Sequence, residues 1–396
     1  MRNVKLNFRR RAPRTAHARG ISRSPLSGVF CKCAMFVTLH STLLCGYSLS
    51  QSRPDSPPDT ASVARFSVLP FPILYYTPET GVAGGAALVG SHRATVNDTS
   101  ARPSSLVVNL IYTQKKQVIA GVSPDMFLDS GAYHIRGSIR FSRYPLRFYG
   151  IGNNTPDALE ESYTSRTFRL TLDALRRIAG DFSGGVSLLY DTQTLSQLQL
   201  DGLLGPGTIP GSRGGRTVGA GVIFHWDTRD NIFTPSTGHS YLLTLRTSTP
   251  KIGSDFNFTY FTLDLRKFLG VTGRSVLAIQ ALTTITAGDV PFYFLSQLGG
   301  SDLMRGYFDG RYRDKELFAV QLEYRFPIFW RIGGAVFAGA GTVAPDVTGF
   351  SVQQVKPGLG LGLRYMYDLI EKLNVRIDFA FGTNSSGLYM TAYEAF

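Results

Sequence analysis

The chain has 396 residues, of which 43% are hydrophobic, 17% charged and 12% aromatic, and this composition excludes a disordered chain. No run of about 18 consecutive apolar residues marks a membrane-spanning helix. The formal net charge is +13, but nine of the 41 basic residues and no acidic residue lie before residue 51, so the remainder carries 32 basic and 28 acidic residues and no nucleic-acid partner is expected.

Residues 1–50 predict a secretory signal peptide. Residues 1–33 are basic, Ala34–Leu44 form a short apolar core, and Ser48-Leu49-Ser50 places small residues where a signal peptidase would cut. An Arg-rich organellar transit peptide fits residues 1–30 as well, but it does not account for the apolar core. All three cysteines lie in this segment, so the predicted mature chain is free of cysteine, which suits an oxidising compartment.

Residues 51–65 are rich in Pro and Ser and predict a flexible linker. From residue 66 to residue 396 the pattern changes to short stretches in which apolar and polar residues alternate, separated by Gly, Pro, Asn or Asp. A period of two predicts β-strands. About sixteen such strands are expected, at residues 68–78, 81–92, 104–115, 117–127, 131–144, 161–176, 181–192, 215–226, 238–249, 256–269, 273–286, 316–327, 331–344, 353–366, 373–383 and 386–396.

The predicted fold is all-β, a transmembrane antiparallel β-barrel of about 16 strands. Most segments are long enough for a tilted membrane strand of about 9 to 11 residues. Long connections on one side, at 145–160, 193–214 and 287–315, and short turns on the other are typical of such barrels, although the connection at 92–103 is long for its side. A soluble β-sandwich or propeller also alternates, but it does not explain arginines placed repeatedly opposite the apolar face.

The stretch from Leu298 to Arg325 combines a loop with the clearest strand. The loop contains the sequence Met304-Arg305-Gly306-Tyr307, and the strand after it alternates apolar and polar side chains from Phe318 onward. Glu323 falls on the polar face of that strand, and Asp378 falls on the polar face of the fifteenth predicted strand.

Leu303 to Tyr307 resembles the V-R-G-F/Y motif of the bacterial surface-antigen superfamily of outer-membrane barrels, which includes proteins of the BamA and TamA kind. The motif lies after the eleventh predicted strand, where the family has its sixth outer loop. Supporting similarities occur at residues 226–231, 149–153 and 341–343 and in the C-terminal aromatic residue, Phe396.

This resemblance implies that the loop after strand 11 folds into the lumen, where Arg305, Gly306 and Tyr307 form the loop motif. It also implies that Arg305 pairs with an acid on the wall, for which Glu323 and Asp378 are the candidates. Gly360 and Gly362 would leave room for the loop. Without the motif, Arg305 would be read as a solvated loop charge.

The sequence departs from the family pattern in three ways. Gly339 stands where relatives often carry a second acid, so the clamp could rest on Glu323 alone. The expected C-terminal insertion signal comprises Gly387, Tyr393 and Phe396, but Glu394 replaces a hydrophobic residue. Finally, the sequence leaves no room for the periplasmic transport-associated domains of the family, so another protein is expected to supply their role.

Asp227, Arg229 and Asp230 predict a periplasmic turn braced by the arginine, and a cation held by the two aspartates is the weaker alternative. The four histidines beyond residue 51 are scattered and no G-x-S-x-G motif occurs, so no enzyme activity is expected. The glycine-rich stretches at 339–341 and 358–362 fit strands better than phosphate loops. No cofactor and no metal ion are expected.

The resemblance places the protein in the bacterial outer membrane. There it is expected to assist insertion or translocation of protein or lipid through a weak seam between the first and last strands, which the loop controls. Its expected partners are outer-membrane lipid and, in addition, periplasmic proteins or unfolded outer-membrane proteins. The alternative is a passive diffusion pore or a structural surface antigen without insertion activity.

Overall fold

A computed structural model describes residues 65–93, 104–369 and 372–396. The predicted signal peptide, almost all of the predicted linker and most of the 92–103 connection lie outside the described residues. Within the described ranges, no helix is both long and apolar enough to cross a membrane.

The structure consists of strands and four short 3-10 turns. The strands are β1 (Arg65–Thr77), β2 (Gly81–Arg93), β3 (Ser104–Thr113), β4 (Val118–Leu128), β5 (Tyr133–Phe148), β6 (Glu161–Ala179), β7 (Phe182–Ser196), β8 (Gly215–Asp227), β9 (Gly238–Ser248), β10 (Phe258–Gly270), β11 (Val276–Gly288), β12 (Ser296–Leu298), β13 (Tyr312–Asp314), β14 (Glu316–Phe329), β15 (Ile332–Ala344), β16 (Lys356–Asp368), β17 (Leu373–Gly382) and β18 (Ser385–Ala392). The 3-10 turns span Asp157–Leu159, Pro250–Ile252, Val347–Gly349 and Val352–Gln354.

Sixteen of these strands close into one antiparallel barrel, which confirms the predicted fold class. Each strand pairs with its neighbours in chain order, and β11 pairs with β14 because β12 and β13 form a separate two-stranded sheet within the connecting loop. We call the end of the barrel that carries the long connections the loop end, and the opposite end the turn end.

The two faces of the wall follow the alternation in the sequence. On β16, Leu359, Leu361 and Leu363 are between 52% and 60% exposed, whereas Arg364 on the other face is buried. Apolar side chains are exposed on the outside of the barrel and polar ones are buried inside it, which is the reverse of the arrangement in a soluble protein. This arrangement suits a wall between lipid and a polar lumen.

Several predicted strand ends were wrong. β5 runs on to Phe148, past the predicted end at residue 144, and its last residues pair with the start of β6 at Glu161, beyond the point where apolar and polar residues alternate. β18 ends at Ala392 instead of residue 396, because Tyr393 takes a left-handed backbone conformation with φ 67° and turns the chain out of the ladder.

Long connections pack together at the loop end around a cluster of aromatic and aliphatic side chains. Its buried members come from the ends of β5, β6 and β10 and from three connections, and we call it the aromatic cap: Phe148, Tyr163, Leu204, Phe256, Phe258, Val290, Phe292 and Leu295. The Phe292 ring contacts Phe148 and Tyr163 edge to face, at centroid distances of 5.2 and 5.6 Å. The cap therefore holds the long β11–β14 loop against its neighbours.

Candidate functional site in the barrel lumen

The connection from β11 to β14 turns inward at Met304 to Tyr307. The Gly300 N–H donates to the Tyr307 carbonyl at 3.0 Å, and the Tyr307 N–H donates to the Met304 carbonyl at 3.3 Å, so these residues form a tight turn. Met304 and Gly306 both have positive φ values, 53° and 106°. The turn and both side chains of the motif, Arg305 and Tyr307, are buried inside the barrel.

Arg305 lies between two carboxylates on different strands. Its Nη2 is 2.6 Å from Glu323 Oε2 on β14, and its Nη1 is 2.6 Å from Asp378 Oδ2 on β17. The guanidinium also stacks on the Phe337 ring, with Cζ 3.5 Å from the ring centroid. A planar, permanently charged guanidinium can donate to two acids from separate nitrogens and stack on a ring at the same time.

The sequence has Gly339 at the position where a second acid of the clamp is expected, and Asp378 on β17 supplies that acid instead. The clamp therefore does not rest on Glu323 alone. An added Cβ at Gly339 would lie 2.9 Å from Met304 Sδ, so this glycine makes room for the loop residue next to Arg305.

Gly360 and Gly362 make room for the partners of the loop and not for the loop itself. A Cβ at Gly360 would lie 2.4 Å from the Phe337 ring, and one at Gly362 would lie 2.0 Å from Asp378 Oδ1.

Three further arginines share the acids of the clamp. Arg325 Nε is 2.7 Å from Glu323 Oε1, Arg364 Nη1 is 2.5 Å from Asp378 Oδ1, and Arg376 Nη1 is 2.8 Å from Asp378 Oδ2. All three side chains are buried. The clamp is thus a charge network that spans β14, β16 and β17.

Glu394 belongs to this network. In the sequence it stands where the expected C-terminal signal has a hydrophobic residue. Its Oε2 is 2.8 Å from Arg364 Nε and 3.5 Å from Arg325 Nε. Phe396 lies in the barrel interior, where its main-chain oxygen accepts from Arg325 Nη2 at 3.0 Å and its side chain joins Phe268 on β10 in a buried cluster.

The three residues of the predicted insertion signal are not brought together. Gly387 lies on the buried face of β18 opposite Ala380, Tyr393 is 44% exposed, and Phe396 is buried. An insertion role for these residues stays a prediction, but Phe396 does not end a lipid-facing strand in the folded barrel.

Tyr307 and Gly306 attach the loop to the last strands. Tyr307 Oη donates to the Pro357 carbonyl at 2.6 Å and accepts from the Thr383 N–H at 2.8 Å. The Gly306 N–H donates to Tyr389 Oη on β18 at 3.0 Å. These contacts reach one side of the junction between β18 and β1.

The same loop also reaches the other side of that junction. The Asp309 N–H donates to Glu79 Oε1 at 2.9 Å, and Glu79, in the β1–β2 turn, is only 7% exposed. The junction itself is narrow, because β1 and β18 share a single ladder pair, Tyr76 with Met390, whereas β1 and β2 pair along their whole length. We call the β1–β18 junction the seam.

Two glutamine side chains, Gln321 on β14 and Gln280 on β11, also position the loop. Gln321 Oε1 accepts from the Met304 N–H at 2.9 Å, and Gln321 Nε2 donates to the Asp302 carbonyl at 3.0 Å and to Gln280 Oε1 at 2.9 Å. Gln280 in turn donates to Asp264 Oδ1.

Sequence reasoning missed Gln321, Tyr389 and Glu79 as loop partners. Alternation placed Gln321 on the lumen face, but nothing in the sequence gives the strand register that aligns it with the loop.

In the predicted periplasmic turn, Arg229 lies against Asp227. Arg229 Nε and Nη2 donate to the two oxygens of Asp227 at 2.8 and 2.9 Å. Asp230 instead accepts from the N–H groups of Ser236 and Thr237, at 2.8 and 3.1 Å, and from Ser236 Oγ. In the described part of the chain, no group of three or more His, Cys, Asp or Glu side chains has the arrangement of a metal site.

Comparison with known proteins agrees with this geometry. Residues 122–387, well over half of the chain, match the Omp85 superfamily domain. Among solved structures, the barrel is similar to BamA from Haemophilus ducreyi lacking POTRA domains 1–3, with a TM-score of 0.56, 13% identity, and coverage of 84% of this chain and 70% of that one.

A second similar structure is CdiB from Acinetobacter baumannii, with a TM-score of 0.51, 14% identity, and coverage of 83% of this chain and 60% of that one. At such identities the likeness shows the fold alone. Comparison with curated proteins gives no match. The family model and the barrel that carries the loop motif lead to one conclusion: the chain belongs to the Omp85 superfamily.

Proposed function

We propose that this barrel assists the insertion or translocation of protein or lipid at the bacterial outer membrane by opening the seam between β1 and β18. The observation that carries the proposal is that one buried loop contacts both sides of a seam held by a single ladder pair. A loop in that position can keep the seam closed while it is docked and free it when it shifts.

The clamp gives the loop a defined docked state. Removing one partner of an isolated buried ion pair costs roughly 3 to 5 kcal/mol of folding free energy, because a buried charge is left uncompensated. That full cost does not apply here, because Arg325, Arg364 and Arg376 still neutralise Glu323 and Asp378 when Arg305 is removed. Loss of Arg305 is therefore expected to undock the loop and leave the barrel folded.

Membership of the Omp85 superfamily and the likeness to the BamA and CdiB barrels support this proposal. The partners that it requires are outer-membrane lipid and an unfolded or translocating protein, delivered with the help of a periplasmic protein.

The alternative of a passive diffusion pore needs an open lumen. The docked loop crosses the lumen and the aromatic cap packs at the loop end, and both features argue against a pore.

The test is an insertion assay with the full chain reconstituted in liposomes. A urea-unfolded second barrel protein is added, and its folded fraction is followed by heat-modifiable gel migration. The parent is expected to accelerate insertion, and Arg305→Ala and Glu323→Ala are expected to lose most of that effect while they remain folded. Arg331→Ala, which removes an arginine from the β14–β15 turn, is the matched control. The proposal fails if both clamp variants fold and accelerate insertion as well as the parent does.

A further inference from the structure

Two arginines on the outer wall of the barrel face each other without a counter-charge. Arg143 on β5 and Arg166 on β6 are direct ladder partners, and both side chains are exposed. Within the described residues, neither side chain has an ion pair or a hydrogen bond. Like charges placed directly opposite on one face destabilise a strand pair, and an anion bound between them would offset this repulsion.

These arginines point away from the lumen. Ile139 and Phe141 on β5 and Phe168 on β6 are 45%, 46% and 39% exposed, and they share the alternation of Arg143 and Arg166 on their strands. Arg140, by contrast, lies on the lumen face and belongs to a different surface.

The arginine pair stands at the edge of the apolar band. Phe141 and Phe168, one row closer to the turn end, are ladder partners, and the Phe168 ring is 6.3 Å from the Tyr190 ring on β7. Aromatic rings mark the boundary between hydrocarbon and headgroups in membrane barrels. Arg143 and Arg166 are the first charged row beyond that boundary, at the depth of lipid headgroups.

A further positive charge lies nearby. Val118 is the ladder partner of Arg143 on its other side, and the exposed Lys116 lies two residues before it in the β3–β4 turn. Two acids of the loop end, Glu160 and Asp255, already have partners: Glu160 is 3.1 Å from Arg147, and Asp255 is 3.5 Å from Arg216.

The geometry points to a lipid-binding site on the β5–β6 wall, in which Arg143 and Arg166 together hold a phosphate of an outer-leaflet lipid headgroup. Opposite residues of a strand pair are spaced about 5 Å apart at Cβ, so two guanidinium forks can bind one phosphate from both sides. The acyl chains lie along the Phe141, Phe168 and Tyr190 surface. A free phosphate ion would make no use of that apolar surface.

Native mass spectrometry of the purified full chain in detergent micelles tests this site, with bisphosphorylated lipid A as the probe. We expect the parent to retain one lipid A, and the Arg143→Gln/Arg166→Gln variant to bind it about tenfold more weakly or worse, since hydrogen bonds to charged groups are lost. Arg216→Gln removes an exposed arginine that already has a carboxylate partner, and it is expected to bind like the parent. Heat-modifiable migration on gels checks that each variant is folded.

Two further arms use the parent protein alone, so the proposal stays testable even where the double variant does not fold. Lipid A stripped of its phosphates is expected to bind about tenfold more weakly than the phosphorylated form. Inorganic phosphate at equal concentration is expected not to displace lipid A. Equal binding by the parent and the double variant, equal binding of the stripped lipid, or displacement by inorganic phosphate each overturns the proposal.

Discussion

At the scale of single residues, Gly306 shows how closely the loop fits the wall. Its φ of 106° is open to glycine and costly for other residues, and an added Cβ would lie 2.6 Å from the Phe381 carbonyl carbon and 2.7 Å from the Gly382 nitrogen. Because both contacts are backbone atoms, they cannot move aside like a flexible side chain.

We therefore expect Gly306→Ala to displace the loop and to make its Met304–Tyr312 segment accessible to protease, with a cost of about 1 to 3 kcal/mol for the strained backbone alone. Limited proteolysis of the folded barrel measures this. Gly152→Ala is the matched control, because Gly152 has a φ of 120° but open space around its Cβ position. Equal protease resistance of parent and Gly306→Ala would show that the loop is not held at this contact.

The sequence predicted the two acids of the clamp because alternation assigns each strand residue to one face. Glu323 and Asp378 were placed on the lumen face in this way, and the motif supplied Arg305. The roles of Arg364 and Glu394 could not be predicted from sequence. They depend on strand register and on the turn at Tyr393, and a periodic pattern of apolar residues indicates neither.

At the scale of elements, the β8–β9 turn is an ordered structure. The Phe233 ring stacks on Tyr393 at 5.3 Å, and Thr234 Oγ1 donates to the Lys372 carbonyl at 2.6 Å, although four strands separate β9 from β16 in the barrel. Asp230 organises the turn through Ser236 and Thr237.

The stability of this turn depends on pH through the Asp230 carboxylate. Partial burial opposes its ionisation, but the hydrogen bonds from Ser236 and Thr237 outweigh burial and hold the pKa of Asp230 below its usual value. A depressed folded-state pKa means that the stabilisation is present above the unfolded pKa, about 3.9, and is lost as the pH falls through the folded value.

Hydrogen exchange at the Ser236 and Thr237 amides checks this dependence. Protection in the parent is expected to exceed that in Asp230→Asn by the same factor from pH 5 to pH 8. The difference is expected to shrink below about pH 4 and to vanish only as the pH falls through the lower folded-state pKa. A difference that changes between pH 6 and pH 8 would assign the effect to another group.

The number and order of the barrel strands were predictable from sequence, whereas the small β12–β13 sheet and some strand ends were not. β5 runs past the apolar band of the wall, where no apolar outer face imposes alternation and only backbone pairing with β6 continues. β18 ends early because the chain turns inward to bring Glu394 to Arg364.

At the scale of the whole molecule, the lumen is obstructed from both ends. The docked loop and the aromatic cap occupy the loop end, and the C-terminal residues pack against β10 and β11 inside the barrel near the turn end.

We accordingly expect the reconstituted protein to show no steady conductance in planar bilayers. A variant in which Gly299–Arg311 is replaced by a short Gly-Ser linker should conduct in discrete steps, because the lumen is partly cleared. A stable open conductance of the parent would instead favour the diffusion pore.

The central claim is that the seam between β1 and β18 opens during function. Tyr76→Cys and Met390→Cys place two thiols at the single ladder pair of the seam, and all three native cysteines lie in the predicted signal peptide. Phe379→Cys with Leu388→Cys, a ladder pair on β17 and β18, is the matched control.

Insertion of a second barrel protein into liposomes is then measured before and after treatment with a short thiol cross-linker. The account predicts that the cross-linked seam abolishes the acceleration of insertion, while the cross-linked control pair retains it. Full acceleration by the protein with a cross-linked seam would contradict the account.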